Sequence, residues 1–126
     1  MKRLLLDTNV VIWLLTGNRE AISKRALGCL LNEDNAISVS AVSPWEIATK
    51  QSVARLELGS NWQKSLLQLD FDLMPITAEH ASRIEDLPWH HRDPFDRMLV
   101  VQAMMETCSI VSSDECLEDY EVEVIW

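Results

Sequence analysis

The sequence of 126 residues has few cysteines, few basic residues and no long apolar run. Its three cysteines, Cys29, Cys108 and Cys116, include no pair with C-x-x-C spacing. An odd number of unpaired cysteines argues against a disulfide scaffold and against the usual cysteine zinc site. We therefore expect reduced thiols that are mostly packed, as in a cytoplasmic protein.

The first apolar run is short. Three leucines follow Met1-Lys2-Arg3, and Asp7 then interrupts them, well before the length of a signal-peptide core or a membrane span. We therefore expect a cytoplasmic protein that does not enter a membrane. Hydrophobic residues make up 48% of the chain, enough for one core, and no repeat, low-complexity segment or linker divides it. These features predict a single domain over residues 1–126.

Basic side chains are outnumbered. The chain has 11 lysines and arginines against 20 acidic residues, which gives a formal net charge of −9. This balance argues against a protein that grips nucleic acid through a broad basic face. A polyanionic substrate would therefore require an added cation.

Segments typical of strands and helices alternate along the whole chain. Strands are predicted at residues 3–6, 36–40, 71–76, 109–112 and 121–126. Helices are predicted at residues 9–16, 24–31, 44–53, 62–69, 77–86 and 94–107. This alternation predicts an α/β domain with a central, mainly parallel five-stranded sheet flanked by helices.

Two predicted helix starts share one layout of cap residue, proline, aromatic residue and acid: Ser43-Pro44-Trp45-Glu46 and Asp93-Pro94-Phe95-Asp96. A cap followed by proline at the first helical position is typical of a helix N-terminus, and Thr8 and Ser23 are predicted caps of two other helices. We expect Glu46 and Asp96 to leave their helices with similar geometry. An acid at the third position also commonly completes a capping box, so a purely structural role for both acids stays open.

Four acids are predicted to meet at one edge of the sheet. Asp7 and Asp114 each follow a predicted strand, whereas Glu46 and Asp96 lie in the first turns of helices that approach the same edge. Ligands bind beyond the carboxyl ends of parallel strands. Carboxylates without cysteine or suitably spaced histidines favour Mg²⁺ or Mn²⁺ over zinc. One or two such ions clamp a phosphodiester and activate water for in-line attack.

Four sequence blocks follow one another along the chain: Leu4-Leu5-Leu6-Asp7-Thr8-Asn9, Ser43-Pro44-Trp45-Glu46-Ile47-Ala48, His91-Arg92-Asp93-Pro94-Phe95-Asp96-Arg97 and Ile110-Val111-Ser112-Ser113-Asp114. These blocks resemble the signature motifs of PIN-domain ribonucleases, most closely those of VapC-type toxins from type II toxin–antitoxin systems. The resemblance covers nearly the whole chain in the family's order, and it implies a PIN fold and Mg²⁺- or Mn²⁺-dependent cleavage of RNA.

The resemblance also implies roles for single residues and partners. Asp7, Glu46, Asp96 and Asp114 match the family's acidic quartet, and Asp7 and Asp96 match the positions most often given as metal ligands. The implied partners are an RNA substrate, a second copy of the chain in a homodimer, and an antitoxin. The C-terminal segment of that antitoxin would lie along the toxin and block the site.

Further candidates surround the four acids. Thr8, Asn9 and Ser112 are candidates to hydrogen-bond a ligand carboxylate or a metal-bound water, although capping or hydrogen bonding at a strand end explains Thr8 and Ser112 equally well. Asp93 is either a carboxylate that supports the metal ligands without binding the ion or the cap of its helix, and we favour the cap. The remaining candidates, for steering phosphates, are Arg92 and Arg97.

Several other polar and aromatic residues are expected to have structural roles only. Lys50 is placed for an i,i+4 pair with Glu46. The adjacent His90 and His91 are expected in a solvated loop. The five tryptophans form no regular stripe, so we expect most of them in the core or at an interface. The first two helices carry more apolar surface than one buried face needs.

Two alternatives to a toxin ribonuclease remain at the level of sequence. One is a catalytically weak PIN-like or response-regulator-like domain that binds a partner and holds a structural cation. The other is a deoxyribonuclease or structure-specific flap nuclease. The second is less favoured, because a chain of this length has no room for an obvious arch or DNA-gripping extension.

Overall fold

Five strands form one parallel sheet in the computed structural model, which describes residues 1–126. Their order across the sheet is β3-β2-β1-β4-β5, and every neighbouring pair is parallel. The predicted α/β fold with a five-stranded sheet is confirmed. The strands are β1 Arg3–Leu6, β2 Ala36–Ser40, β3 Asp72–Met74, β4 Ser109–Val111 and β5 Val124–Ile125.

Six α-helices and three short 3₁₀ helices connect the strands. No helix combines the length and the apolar character needed to cross a bilayer. The α-helices are α1 Thr8–Leu15, α2 Lys24–Leu31, α3 Val42–Ser52, α4 Trp62–Gln68, α5 Ala78–Arg83 and α6 Pro94–Glu106. The 3₁₀ helices are Arg19–Ala21, Ile84–Asp86 and Glu115–Asp119.

The side chains of β1 point alternately to the two faces of the sheet, and a separate apolar cluster lies on each face. Leu4 and Leu6 pack with Val10 and Val11 of α1 on one face of the sheet. Leu5 points to the other face and packs in the cluster that contains Leu99 of α6. Successive side chains of a strand alternate between faces, so a central strand with helices on both sides is apolar throughout.

Several boundaries differ from the predictions. Strand β3 ends at Met74 because Pro75, which has no N–H, follows it. The helix predicted at 77–86 is in fact α5 followed by a 3₁₀ turn. Strand β5 is only two residues long, since the 3₁₀ helix Glu115–Asp119 and the bends after it occupy the preceding chain.

The two matching helix starts differ in their caps. Asp93 caps α6, accepting from the N–H of Phe95 at 2.8 Å and of Asp96 at 3.2 Å, and this prediction is confirmed. The prediction for Ser43 is wrong, because α3 already begins at Val42 and has no side-chain cap. The buried Ser43 hydroxyl instead lies 3.1 Å from the hydroxyl of Thr8.

The Thr8 prediction is also wrong, whereas Ser23 caps α2 as expected. Thr8 is the first residue of α1, and Asp7 occupies the cap position without making a side-chain cap bond. The carboxylate of Asp7 is therefore not engaged in capping. The contact between Thr8 and Ser43 ties the beginnings of α1 and α3 together beneath the strand ends.

Candidate metal centre

The strand order reverses between β1 and β4, and the candidate site lies there. The chain moves outward from β1 to β2 and β3, then returns to place β4 on the other side of β1. Asp7 follows β1 directly, and Ser112 and Asp114 follow β4. In parallel sheets this reversal leaves a crevice beyond the strand ends where ligands bind.

Ser112 joins the two strand ends through its buried hydroxyl. Its Oγ donates to Asp7 Oδ2 at 2.6 Å and accepts from the backbone N–H of Asp114 at 3.0 Å. The single donor of this hydroxyl and one of its two acceptor positions are therefore used. Ser112 therefore sets the position of one acid directly and of a second through the backbone.

Asp7 is almost completely buried, with 5% of its surface exposed. Burial raises the pKa of its carboxyl above the ordinary value, and the charges of Glu46 and Asp114 raise it further. The hydrogen bond from Ser112 opposes this shift. The site thus brings carboxylates together at a cost that a bound cation would reduce.

Glu46 points into the site from the second turn of α3 and is 5% exposed. Its Oε2 accepts from Lys50 Nζ at 2.6 Å, which confirms the expected i,i+4 pair. Its Oε1 is buried and has no hydrogen-bond partner. A buried polar atom left unpaired is costly, and the capping box that would have explained Glu46 is not formed.

Asp96 lies in the first turn of α6 and is half-buried. Burial raises the pKa of its carboxyl to about 7, and the charges of Asp7, Asp93 and Glu46 contribute in the same direction, whereas His91 lowers it. The structure therefore brings Asp96 within electrostatic range of the other acids, which is what the sequence predicted.

Asp114 caps the 3₁₀ helix Glu115–Asp119 that follows β4. Its Oδ1 accepts from the N–H of Cys116 at 2.9 Å. Its Oδ2 lies 3.1 Å from His91 Nε2, which is also 3.3 Å from Asp96 Oδ2. One ligand atom from each of these three residues lies within 4.8 Å of the others.

The placement of His91 was not predicted. It was expected in a solvated loop, but it is half-buried and contacts two of the four acids, whereas His90 is exposed as expected. The available signal was the position of His91 at the head of the block that contains Asp96.

Arg97 also differs from its predicted role. Its side chain is buried, 3% exposed, and donates to the carbonyl oxygens of Pro88 at 2.8 Å and Leu87 at 3.1 Å. A guanidinium enclosed in this way holds a loop and is not presented to a phosphate. Arg92 and Asn9 are exposed, and no hydrogen bond holds either side chain in the site.

Two aromatic side chains connect the matching helix starts. The rings of Trp45 and Phe95 meet edge to face, with centroids 4.6 Å apart. Trp45 remains half-exposed, unlike Trp62, which is buried in the core. Of the tryptophans expected mostly in the core or at an interface, Trp62 lies in the core, whereas Trp45 and Trp89 are exposed.

The donor set fits a hard divalent cation. Asp7, Glu46, Asp96 and Asp114 supply carboxylate oxygens only, which are the ligands that Mg²⁺ and Mn²⁺ prefer. The unpaired Oε1 of Glu46 has a free acceptor position inside the site. The residues present are therefore able to hold such an ion.

Comparisons with known proteins agree with the fold. The sequence pattern of the PIN domain matches residues 4–123. No curated protein matches the sequence.

Three solved structures are similar over nearly their whole length. VapBC2 from Rickettsia felis bound to promoter DNA has 15% identity and a TM-score of 0.68, covering 97% of this chain and 96% of that one. FitAcB from Neisseria gonorrhoeae has 21% identity and a TM-score of 0.67, covering 96% and 95%. DNA-bound VapBC from Salmonella typhimurium has 15% identity and a TM-score of 0.64, covering 98% and 97%.

Proposed function

The chain belongs to the PIN-domain family, and from this premise we propose that it is a Mg²⁺- or Mn²⁺-dependent endoribonuclease, the toxin of a toxin–antitoxin pair. PIN domains are generally nucleases. The observation that carries the proposal is the group of four carboxylates at the strand reversal, in which the buried Oε1 of Glu46 lacks a partner. This arrangement is costly for a protein that uses it only for stability.

Asp7, Glu46, Asp96 and Asp114 are the residues that would hold the ion. A bound divalent cation supplies positive charge and Lewis acidity for the attack of water on a phosphodiester. This charge also explains how a chain with a net charge of −9 binds a polyanion.

The remaining side chains of the site orient these acids. Ser112 holds Asp7 by the hydrogen bond to Oδ2, Lys50 holds Glu46 by its contact with Oε2, and Asp93 fixes the start of the helix that carries Asp96. In the ion-free protein near neutral pH, the pKa of about 7 leaves the Asp96 carboxyl shared between its protonated and ionised forms. This partial protonation limits repulsion among the acids.

We extend the proposal to partners. Among the similar solved structures are VapBC and FitAB complexes bound to DNA. The acidic charge of this chain argues that its antitoxin, rather than the chain itself, would contact DNA. Apolar side chains remain for such a partner and for a homodimer contact, since Leu31, Val53 and Leu67 are 61%, 59% and 66% exposed.

Purified protein should cleave single-stranded RNA in the presence of Mg²⁺ or Mn²⁺ and stop when EDTA is added. Asp7→Asn and Asp96→Asn should abolish cleavage while circular dichroism shows a retained fold. Normal cleavage by both variants would contradict the proposed site. Stabilisation by the metal without cleavage of RNA would instead favour a partner-binding domain with a structural cation, and cleavage of DNA alone would favour a deoxyribonuclease.

A further inference from the structure

We propose that His91 is a positioning residue of the acidic site, whose Nε2–H donates to Asp114 and lies against the carboxylate of Asp96, so that it holds the two carboxylates together for the cation. The proposal rests on the metal site of the proposed function. It assigns to His91 a role beyond the four acids, and it makes the residue a hydrogen-bond donor and not a fifth metal ligand.

The hydrogen-bond pattern identifies the tautomer of His91. The backbone N–H of Asp93 lies 3.1 Å from Nδ1 of His91, and a backbone N–H can only donate. Nδ1 must therefore accept, and in a neutral imidazole the proton is then on Nε2. Nε2 has no lone pair available in this tautomer, so it cannot ligate a metal ion.

The acceptors around Nε2 fit a donor. Asp114 Oδ2 lies at 3.1 Å and Asp96 Oδ2 at 3.3 Å, and carboxylate oxygens accept but do not donate when ionised. An N–H that donates to Asp114 Oδ2 and lies 3.3 Å from Asp96 Oδ2 attracts both carboxylates toward one point. Each carboxylate oxygen keeps a further acceptor position, so the contact with His91 leaves both acids able to bind an ion.

The loop that carries His91 is fixed by contacts outside the site. The N–H of His91 donates to the hydroxyl of Tyr120 at 3.0 Å. Arg97 donates to the same hydroxyl at 3.3 Å and to the carbonyl of Pro88 at 2.8 Å, and its guanidinium carbon lies 3.7 Å from the centre of the Trp89 ring. These contacts fix the position of the imidazole from outside the site, as expected for a group that orients ligands.

Binding of Mn²⁺ to the full-length protein, measured by calorimetry without RNA, tests the role. His91→Ala should lower the affinity by about 10-fold or more, the range typical for the loss of a group that orients metal ligands. His91→Gln, which retains an N–H donor, should recover most of that affinity. His90→Ala is the matched control, because His90 is exposed and packs edge to face on Tyr120 without contacting the acids.

Unchanged or tighter binding by His91→Ala would overturn the proposal, since an imidazole that competes with the ion predicts tighter binding. Equal losses in His91→Gln and His91→Ala would also overturn it. If His91→Ala fails to fold, the positioning role is tested by Mn²⁺ binding to His91→Gln and by NMR of the wild-type protein. ¹⁵N spectra should show a protonated Nε2 and a bare Nδ1 before and after saturation with Mg²⁺, and loss of the Nε2 proton on binding would identify a ligand instead.

These measurements separate the two proposals. If RNA is cleaved but the His91 variants bind Mn²⁺ like wild type, only the positioning role is wrong. If Mn²⁺ binding depends on His91 as expected but no RNA is cleaved, only the proposed function is wrong. A wild-type protein that binds neither ion would overturn both.

Discussion

Ser112 Oγ donates to Asp7 Oδ2 at 2.6 Å although 105 positions separate the two residues in the chain. The contact is possible because β1 and β4 are paired in parallel, with Leu6 opposite Val111, so that the residues beyond them meet. The contact joins the first and the last of the four sequence blocks. The strand order therefore brings together two residues that are far apart in the sequence.

Replacing Ser112 by alanine should weaken metal binding and destabilise the protein. The hydrogen bond from Ser112 lowers the pKa of Asp7 and so opposes the effect of burial. Without it, the pKa of Asp7 should rise further. We expect a roughly 10-fold loss of Mn²⁺ affinity and a decrease of about 1–3 kcal/mol in the free energy of unfolding. Calorimetry and urea unfolding measure the two effects. Ser113→Ala, at the exposed neighbouring position, is the control and should change neither.

Asp96→Asn should stabilise the ion-free protein at alkaline pH. Because the pKa of Asp96 is raised in the folded protein, ionisation of this carboxyl opposes folding. The protonated carboxyl therefore stabilises the wild-type protein at low pH, and this stabilisation is lost as the pH rises from the ordinary pKa of 3.8 through about 7. Asparagine cannot ionise. Above pH 7 the variant should gain up to about 4 kcal/mol in the free energy of unfolding, at about 1.4 kcal/mol for each unit of pKa.

Urea unfolding in EDTA across this pH range measures the gain, which should shrink toward pH 4. Saturating Mg²⁺ should reverse the order, since only wild type retains the carboxylate. A variant that is less stable than wild type at every pH in EDTA would show that the ionised Asp96 does not oppose folding.

The sequence predicted the α/β fold and the approach of the four acids because both follow from local patterns. Short apolar runs followed by acids mark the strand ends: Asp7 follows β1 directly, and Asp114 follows β4 after two serines. The places of His91 and Arg97 could not be predicted in this way. Both depend on how the loop before α6 folds onto Tyr120, a contact that no periodicity or cap signal reports.

The caps show the same limit on a smaller scale. Ser43 and Asp93 precede proline in matching tetrapeptides, yet only Asp93 caps its helix. The difference is tertiary, because the hydroxyl of Ser43 is buried against Thr8 of another helix. Long-range packing therefore overrides a local signal that is sound by itself.

Lys50→Met should destabilise the ion-free protein by removing the partner of Glu46 Oε2. Because Oε1 already lacks a partner, the variant leaves the whole buried carboxylate unpaired, which should cost about 1–3 kcal/mol in the free energy of unfolding. The double variant Lys50→Met/Glu46→Gln should recover part of that loss. Thermal unfolding in EDTA of both variants and of Glu46→Gln completes the cycle, and additive effects would show that the pair is not coupled.

Arg97→Met should be the most destabilising of these substitutions. Methionine fills part of the volume but donates no hydrogen bond, so the carbonyls of Leu87 and Pro88 lose their buried donor. We expect a loss of about 2–4 kcal/mol in the free energy of unfolding, from several broken hydrogen bonds to one charged group. Arg92→Met, at an exposed position, should stay within about 0.5 kcal/mol of wild type.

Arg97→Lys distinguishes charge from geometry at this position. Lysine keeps the positive charge but lacks the planar group that reaches several carbonyls while stacking on Trp89, so most of the loss should remain. Urea unfolding measures both substitutions, and the ¹⁵N spectrum of His91 reports whether the loop still holds the imidazole. Wild-type stability in Arg97→Lys would show that its charge, rather than its network of carbonyl contacts, supports the site.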